Sequence, residues 1–194
     1  MAVTSTMLQL GTAAPDFDLP NFNAKFGDRH YRLSDFNSTQ GLLVAFICNH
    51  CPYVKHIRGE FMRFAREYEA RGLGIVAIAA NDIEAYPEDG PAGMQEEATT
   101  AGYTFPYLLD ATQAVAKAYQ AACTPDLYLF DAQRRLFYRG RFDASTPKNN
   151  QPVNGQDLRA AADALLAGHA APEAQLASMG CNIKWKPGNE PAWF

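Results

Sequence analysis

The 194-residue chain has no surplus of positive charge: 17 Lys and Arg stand against 21 Asp and Glu, for a formal charge of −4. That balance leaves no electrostatic footprint for nucleic acid or an anionic membrane, and neither is expected as a partner. Nowhere does the sequence approach the roughly 18 uninterrupted apolar residues of a membrane-spanning helix. Met1 to Leu10 also lacks a basic stretch followed by an apolar one, so a soluble, cytoplasmic protein is expected. Internal repeats and low-complexity runs are missing. Tryptophan occurs only as Trp185 and Trp193, and cysteine only as Cys48, Cys51, Cys123 and Cys181. Four unevenly spaced cysteines are too few for a disulfide-stapled scaffold. In a reducing compartment they leave redox chemistry, metal ligation or inert core thiols.

What is present is a 47% hydrophobic composition, enough for one well-buried core. The first 40 residues carry loop signals around short alternating pieces. "LLVAFI" at 42–47 then reads as a strand buried on both faces. From Pro52 to Arg71, Val54, Ile57, Phe61, Phe64, Ala65 and Tyr68 fall at helical spacing, and Gly72 ends the helix. "LGIVAIAA" at 73–80 is a second buried strand, so a right-handed βαβ crossover and a parallel pair are predicted. Beyond it come an acidic loop, a helix near 94–101, a short extended piece at "FPYLLD", a helix within 111–121 and a strand at 126–131. "RRLFYRGRFD" predicts an antiparallel hairpin, and 156–167 a last helix closed by Gly168. Residues 169–194, rich in Pro and Gly, read as a tail packed along the surface of a domain spanning 1–168.

Cys51 has a physical claim to reactivity. It precedes Pro52, which suits the first position of a helix because its missing N–H would have no intrahelical partner. A thiolate there meets free backbone N–H groups and the positive helix end, with Lys55, His56 and Arg58 in the first turns, so its pKa is expected below the ordinary thiol value. His50 and His56 beside Cys48 and Cys51 invite a metal reading, but no second ligand pair follows at the spacing of a zinc site. The acidic loop Asn81, Asp82, Glu84, Glu88 and Asp89 lacks the alternation of a calcium loop and reads as solvated. Neither a metal nor a cofactor is expected.

The order strand, cysteine turn, helix, strand, then strand, hairpin and helix resembles the thioredoxin-like α/β fold, a central mixed sheet flanked by helices, here with an N-terminal extension. The lead-in "GTAAPDFDLPNF…YRLSDFNSTQGLLVAF" is similar to that of the alkyl hydroperoxide reductase and thiol-specific antioxidant (redoxin) family. "CTPDLYLFD" resembles the Thr-Pro before the third core strand of thioredoxin-like proteins, and this resemblance implies a cis Pro125 set against the active cysteine. Laying the thioredoxin pattern V-D-F-W-A-x-W-C-G-P-C-K without gaps on "VAFICNHCPYVK" puts Cys51 on the first cysteine and Val54 on the second. Cys48 then lies one motif length upstream. The peroxiredoxin pattern P-x-x-x-T-x-x-C would need its cysteine at Val54, its threonine at Cys51 and its proline at Ile47, and the peroxide-binding arginine would fall near Pro125. The chain therefore resembles a peroxiredoxin-like branch with the cysteine moved to the first thioredoxin position.

The resemblance implies thiol–disulfide exchange through a Cys51 thiolate, with Pro125 shaping an edge where an extended substrate could pair. Protein or small-molecule disulfides, or peroxides, would be the oxidants and an external thiol the reductant. The alternatives are a thiol-dependent peroxidase and a non-catalytic binding module. Cys48 is either a resolving partner or a packing residue. Cys123, two before Pro125, is either a redox partner or structural. Cys181 could reach the site only if the tail folds back. As partners of Cys51 they rank Cys48, Cys123, Cys181, with a monothiol cycle close behind the first.

Overall fold

The computed structural model describes residues 2–193. In chain order the strands and helices are β1 (Ala2–Thr4), β2 (Asp18–Pro20), β3 (His30–Arg32), β4 (Gly41–Phe46), α1 (Pro52–Glu69), β5 (Leu73–Ala79), α2 (Pro91–Ala101), β6 (Tyr107–Leu109), α3 (Ala114–Ala118), β7 (Cys123–Thr124), β8 (Asp126–Asp131), β9 (Leu136–Gly140), α4 (Gln156–Leu166) and β10 (Met179–Asn182).

The uninterrupted apolar run of β4 occupies the middle of a five-stranded sheet ordered β6-β5-β4-β8-β9. It pairs in parallel with β5, Val44 opposite Val76, and antiparallel with β8, Val44 opposite Tyr128. Every residue of β4 and β5 is buried, as a strand covered on both faces requires. Alternation along the strands sends Leu43, Ala45, Ile75, Ala77, Leu127 and Leu129 to one layer, where they meet α1, α2 and α4. Leu42, Val44, Phe46, Val76, Ile78, Tyr128 and Phe130 face the other, against α3 and the β2–β3 hairpin. This is the thioredoxin-like arrangement, a mixed sheet between helical layers.

Helix α1 is held by its apolar stripe. Phe64 is fully buried, stacks on Tyr68 at 4.3 Å between ring centroids, and meets Phe142 edge-on at 6.3 Å. Gly72, at φ 92°, supplies the left-handed turn that takes the chain from α1 into β5. Two of the sequence-predicted helices differ in extent. Helix α2 starts earlier, at Pro91, and α3 is only five residues long.

The C-terminal segment enters the fold. Strand β10 lies between β1 and β7 in a separate three-stranded antiparallel sheet, and beyond it Ile183 and Trp185 are buried in the layer that holds α3. Trp185 meets Trp193 edge-on at 5.9 Å.

Phe64→Ala is expected to cost about 3–5 kcal/mol by denaturant unfolding, because the cavity lies between α1 and α4 where neither can collapse. Arg63→Ala, one residue away on the solvent face, is expected to stay within about 0.5 kcal/mol.

Candidate active site

The parallel strands β4 and β5 end on the same side of the sheet, and the turn after β4 delivers Cys48 to Cys51 to that end. Cys51 caps α1 in an extended conformation (φ −64°, ψ 123°), with Pro52 at the first helical position. Its carbonyl accepts the first helical hydrogen bond, from Lys55 N–H at 3.0 Å. Facing it is the Thr124–Pro125 peptide, which is cis. The Cys51 thiol donates to the Thr124 carbonyl oxygen at 3.1 Å, and Cys48 Sγ lies 3.4 Å from Thr124 Oγ1. Cys51 is 0% exposed and Cys48 2%. All four cysteines are free thiols.

The bond to the Thr124 carbonyl favours the protonated form of Cys51, but stronger influences favour the thiolate. A hydrogen bond from Cys48 is the largest and holds Cys51 well below the usual thiol range. It acts against burial and is helped by the Thr124 hydroxyl, the Val54 N–H at the helix start and the Cys181 thiol. The same bond, with burial and the nearby Asp89 charge, pushes Cys48 far up. Of the cations expected to do this work, Lys55 is exposed to solvent and Arg58 pairs with Glu97 at 3.0 Å.

Strand register separates the other two cysteines. Cys181 stands directly opposite Thr124, and Asn182 opposite Cys123. Side chains alternate along a strand, so Cys181 shares a face with Thr124 and points toward Cys48 and Cys51, while Cys123 points the other way. Cys123 is fully buried, its Sγ lies 3.6 Å from the Pro125 carbonyl oxygen, and burial and the Asp126 charge raise its pKa. The structure thus brings Cys181, not Cys123, to Cys51. It also fills the edge beside Pro125 where an extended substrate was expected to pair, since β10 is already there.

The acidic loop is solvated only in part: Glu84 and Glu88 are exposed, as its reading from sequence expects, but Asn81, Asp82 and Asp89 are buried. Asp89 is 0% exposed and accepts hydrogen bonds from Asn49 N–H at 2.8 Å and the Asn81 amide at 2.7 Å. His50 Nδ1 sits at ion-pair distance, 2.7 Å, from the same carboxylate, and its ring stacks on Tyr86. The loop is pinned over the cysteine turn and fixes its path. Cys48, His50 and Asp89 bring potential ligand atoms within 4.8 Å of one another and are the group, among the described residues, that could hold a metal ion. In the structure Cys48 and Asp89 have hydrogen-bond partners within the protein, whereas His50 Nδ1 makes no hydrogen bond and only lies beside the Asp89 carboxylate. Nothing in the local sequence marks Asp89 as different from Glu84 or Glu88; the loop's return across β4 decides it.

Asp126, immediately after Pro125, is a second buried acid that sequence reasoning passed over. Burial raises its pKa to about 6, partly opposed by hydrogen bonds from Ala122 N–H and the Ser5 and Tyr128 hydroxyls. Its one visible signal was position, a carboxylate leading into the apolar run "LYLF". A cleft borders the site, walled by Tyr53, His56, Pro125, Arg141, Asp143 and Met179.

Residues 10–139 match the sequence profile of the AhpC/TSA family. The chain belongs to the AhpC/TSA family. No curated protein matches it. An uncharacterized conserved protein from Geobacillus kaustophilus is similar to it at 51% identity, covering 96% of this chain and 97% of that one, with a TM-score of 0.93. Peroxidoxin BcpB from Mycobacterium tuberculosis (18% identity, 82% and 94% covered, TM-score 0.57) and a thiol:disulfide interchange protein of the thioredoxin family from Chlorobium tepidum TLS (15%, 81% and 98%, 0.61) share the fold.

Two outcomes follow from the titrating groups. The iodoacetamide reaction rate of Cys51, followed against pH by peptide mass spectrometry, should rise with an apparent pKa below that of an ordinary thiol, about 8.5. It should move up toward that value in Cys48→Ala, and a wild-type midpoint at or above 8.5 would overturn this account. For Asp126, the folded-state pKa lies above the ordinary 3.8. The native state therefore binds the extra proton between pH 3.8 and about 6, so stability falls as pH rises through that window and the full cost of the ionised carboxylate is present above it. The melting temperature of Asp126→Asn relative to wild type should accordingly become more favourable between pH 5 and pH 8; a flat difference would show that Asp126 does not titrate in this window.

Proposed function

We propose that the protein is a thiol–disulfide oxidoreductase that works through Cys51. The observation that supports this reading most directly is the placement of a thiol at the N-terminus of α1, facing the cis Thr124–Pro125 peptide at 3.1 Å. The helix N–H groups and the neighbouring thiols make Cys51 the sulfur of this chain best prepared to carry negative charge. In the cycle, the Cys51 thiolate attacks one sulfur of a disulfide and expels the other as a thiolate, and a second thiol then displaces the product. An external thiol in a reducing compartment restores the enzyme.

The full burial of Cys51 and the filled edge beside Pro125 favour low-molecular-weight oxidants over extended protein substrates. That observation also supports a second reading, a peroxidase in which Cys51 takes an oxygen from a peroxide to become a sulfenic acid.

Steady-state turnover with dithiothreitol as reductant separates the readings. A disulfide of low molecular weight should be reduced faster than hydrogen peroxide if the first holds, and the reverse order favours the second. Under either, Cys51→Ser should lose at least two orders of magnitude in turnover with an unchanged circular dichroism spectrum. Undiminished turnover in that variant would remove Cys51 as the nucleophile, and wild-type turnover no faster than the uncatalysed reaction would leave only a non-catalytic binding module.

A further inference from the structure

The sheet built from β1, β10 and β7 is not explained by the needs of the core. It joins three short edges from distant parts of the chain, and its middle strand lies along Cys123 and Thr124, the backbone that leads into the cis proline. The approach is close. A Cβ on Gly180 would come within 2.0 Å of the Thr124 carbonyl oxygen, the same oxygen that accepts the Cys51 S–H. Only glycine lets the strand settle there, and the next residue, Cys181, is thereby carried to the face shared by Thr124, Cys48 and Cys51. Its side chain packs on the core layer that contains both of those cysteines.

We propose that Cys181 is the internal disulfide partner of Cys51, presented by β10 from the position that an extended substrate strand would otherwise occupy. This rests on the reading of Cys51 as the nucleophile. Cys48, although nearer in sequence, is a poorer resolver. It is 2% exposed, and a bridge to the fully buried Cys51 would leave no sulfur within reach of a reductant. Cys181 is only half-buried, so a Cys51–Cys181 bridge keeps one sulfur open to external thiols. Cys48 instead serves as the hydrogen-bond donor that stabilises the Cys51 thiolate.

In this scheme the Cys51 thiolate attacks one sulfur of a small disulfide, forms a mixed disulfide, and releases the other half as a thiolate that takes up a proton. Cys181 then loses its proton and attacks the Cys51 sulfur, and the bond to the remaining half breaks to give a second free thiol. The substrate gains two electrons and two protons, and the two cysteine thiols become one disulfide. An external thiol pair supplies the same two electrons to reopen it. With β10 on the sheet edge, the oxidant enters from the cleft beside Tyr53, Pro125 and Met179, whose wall must part for the buried Cys51 sulfur to be reached.

The test is non-reducing peptide mapping of the full chain after reaction with one equivalent of glutathione disulfide. Wild type should yield a peptide pair joined through Cys51 and Cys181. Cys181→Ser should instead accumulate Cys51–glutathione, with the adduct lasting at least ten times longer than in wild type. Gly180→Val keeps every cysteine but drives β10 off Thr124. It should lose the Cys51–Cys181 bridge and alkylate faster at Cys51, and limited proteolysis near residue 180 should report the released strand. A Cys48–Cys51 bridge in wild type, or an adduct that resolves as fast in Cys181→Ser, would overturn the proposal while leaving Cys51 as nucleophile. A Cys51 that stays a free thiol throughout would overturn both.

Discussion

The contact on which the site depends is the meeting of the α1 N-terminus with the Thr124–Pro125 edge. Each side is incomplete alone. The helix start offers a thiol among free N–H groups, and the edge offers a carbonyl and a hydroxyl that have no strand partner from the main sheet. Their approach to 3.1 Å is made possible by β4, whose burial between two layers fixes where α1 begins and, through its pairing with β8, where Pro125 falls. Asp89 pins the intervening turn from the other side. The cysteines are thus held by the sheet from below, the acidic loop from one flank and the C-terminal strand from another.

Much of this was legible in the sequence. Continuous apolar runs at 42–47 and 73–80, joined by a helix of clear 3.6-residue period, leave few topologies open, and "CTPD" ahead of an apolar strand places the proline. What could not be read were contacts made by short, irregular pieces. Strand β10 is four residues long, one of them Gly180, and pairs with strands of three and two residues. No alternation of apolar and polar residues can show in so short a span. Its register is set by backbone proximity at Gly180 and by the docking of Ile183 and Trp185 after it, neither of which leaves a local periodic signal.

Cys123 and Cys181 show how parity outweighs proximity. Cys123 stands two residues from Pro125 and seemed the nearer partner, yet its neighbour Thr124 takes the face that looks at Cys51 and sends Cys123 to the opposite one. Cys181, 58 positions further along the chain than Cys123, arrives on the correct face because it is paired with Thr124 and not with Cys123. A single-residue slip of β10 would turn Cys181 to the face of Cys123 and away from Cys51, so the site's chemistry is specified by register as much as by residue type.

The three-stranded sheet also bears on the order in which the molecule assembles. It pairs Ala2 with Cys181, whereas the β4–β5 crossover pairs Gly41 with Leu73. Closing a loop costs entropy that grows with its length, so contacts between residues so far apart in sequence are repaid only after the central sheet has formed. On a ribosome, β4, α1 and β5 would already be folded while residues 179–182 were still to be made. Over that interval the Cys51 thiol is complete in its helix-start setting but uncovered, and its cover arrives only with residues 179–182.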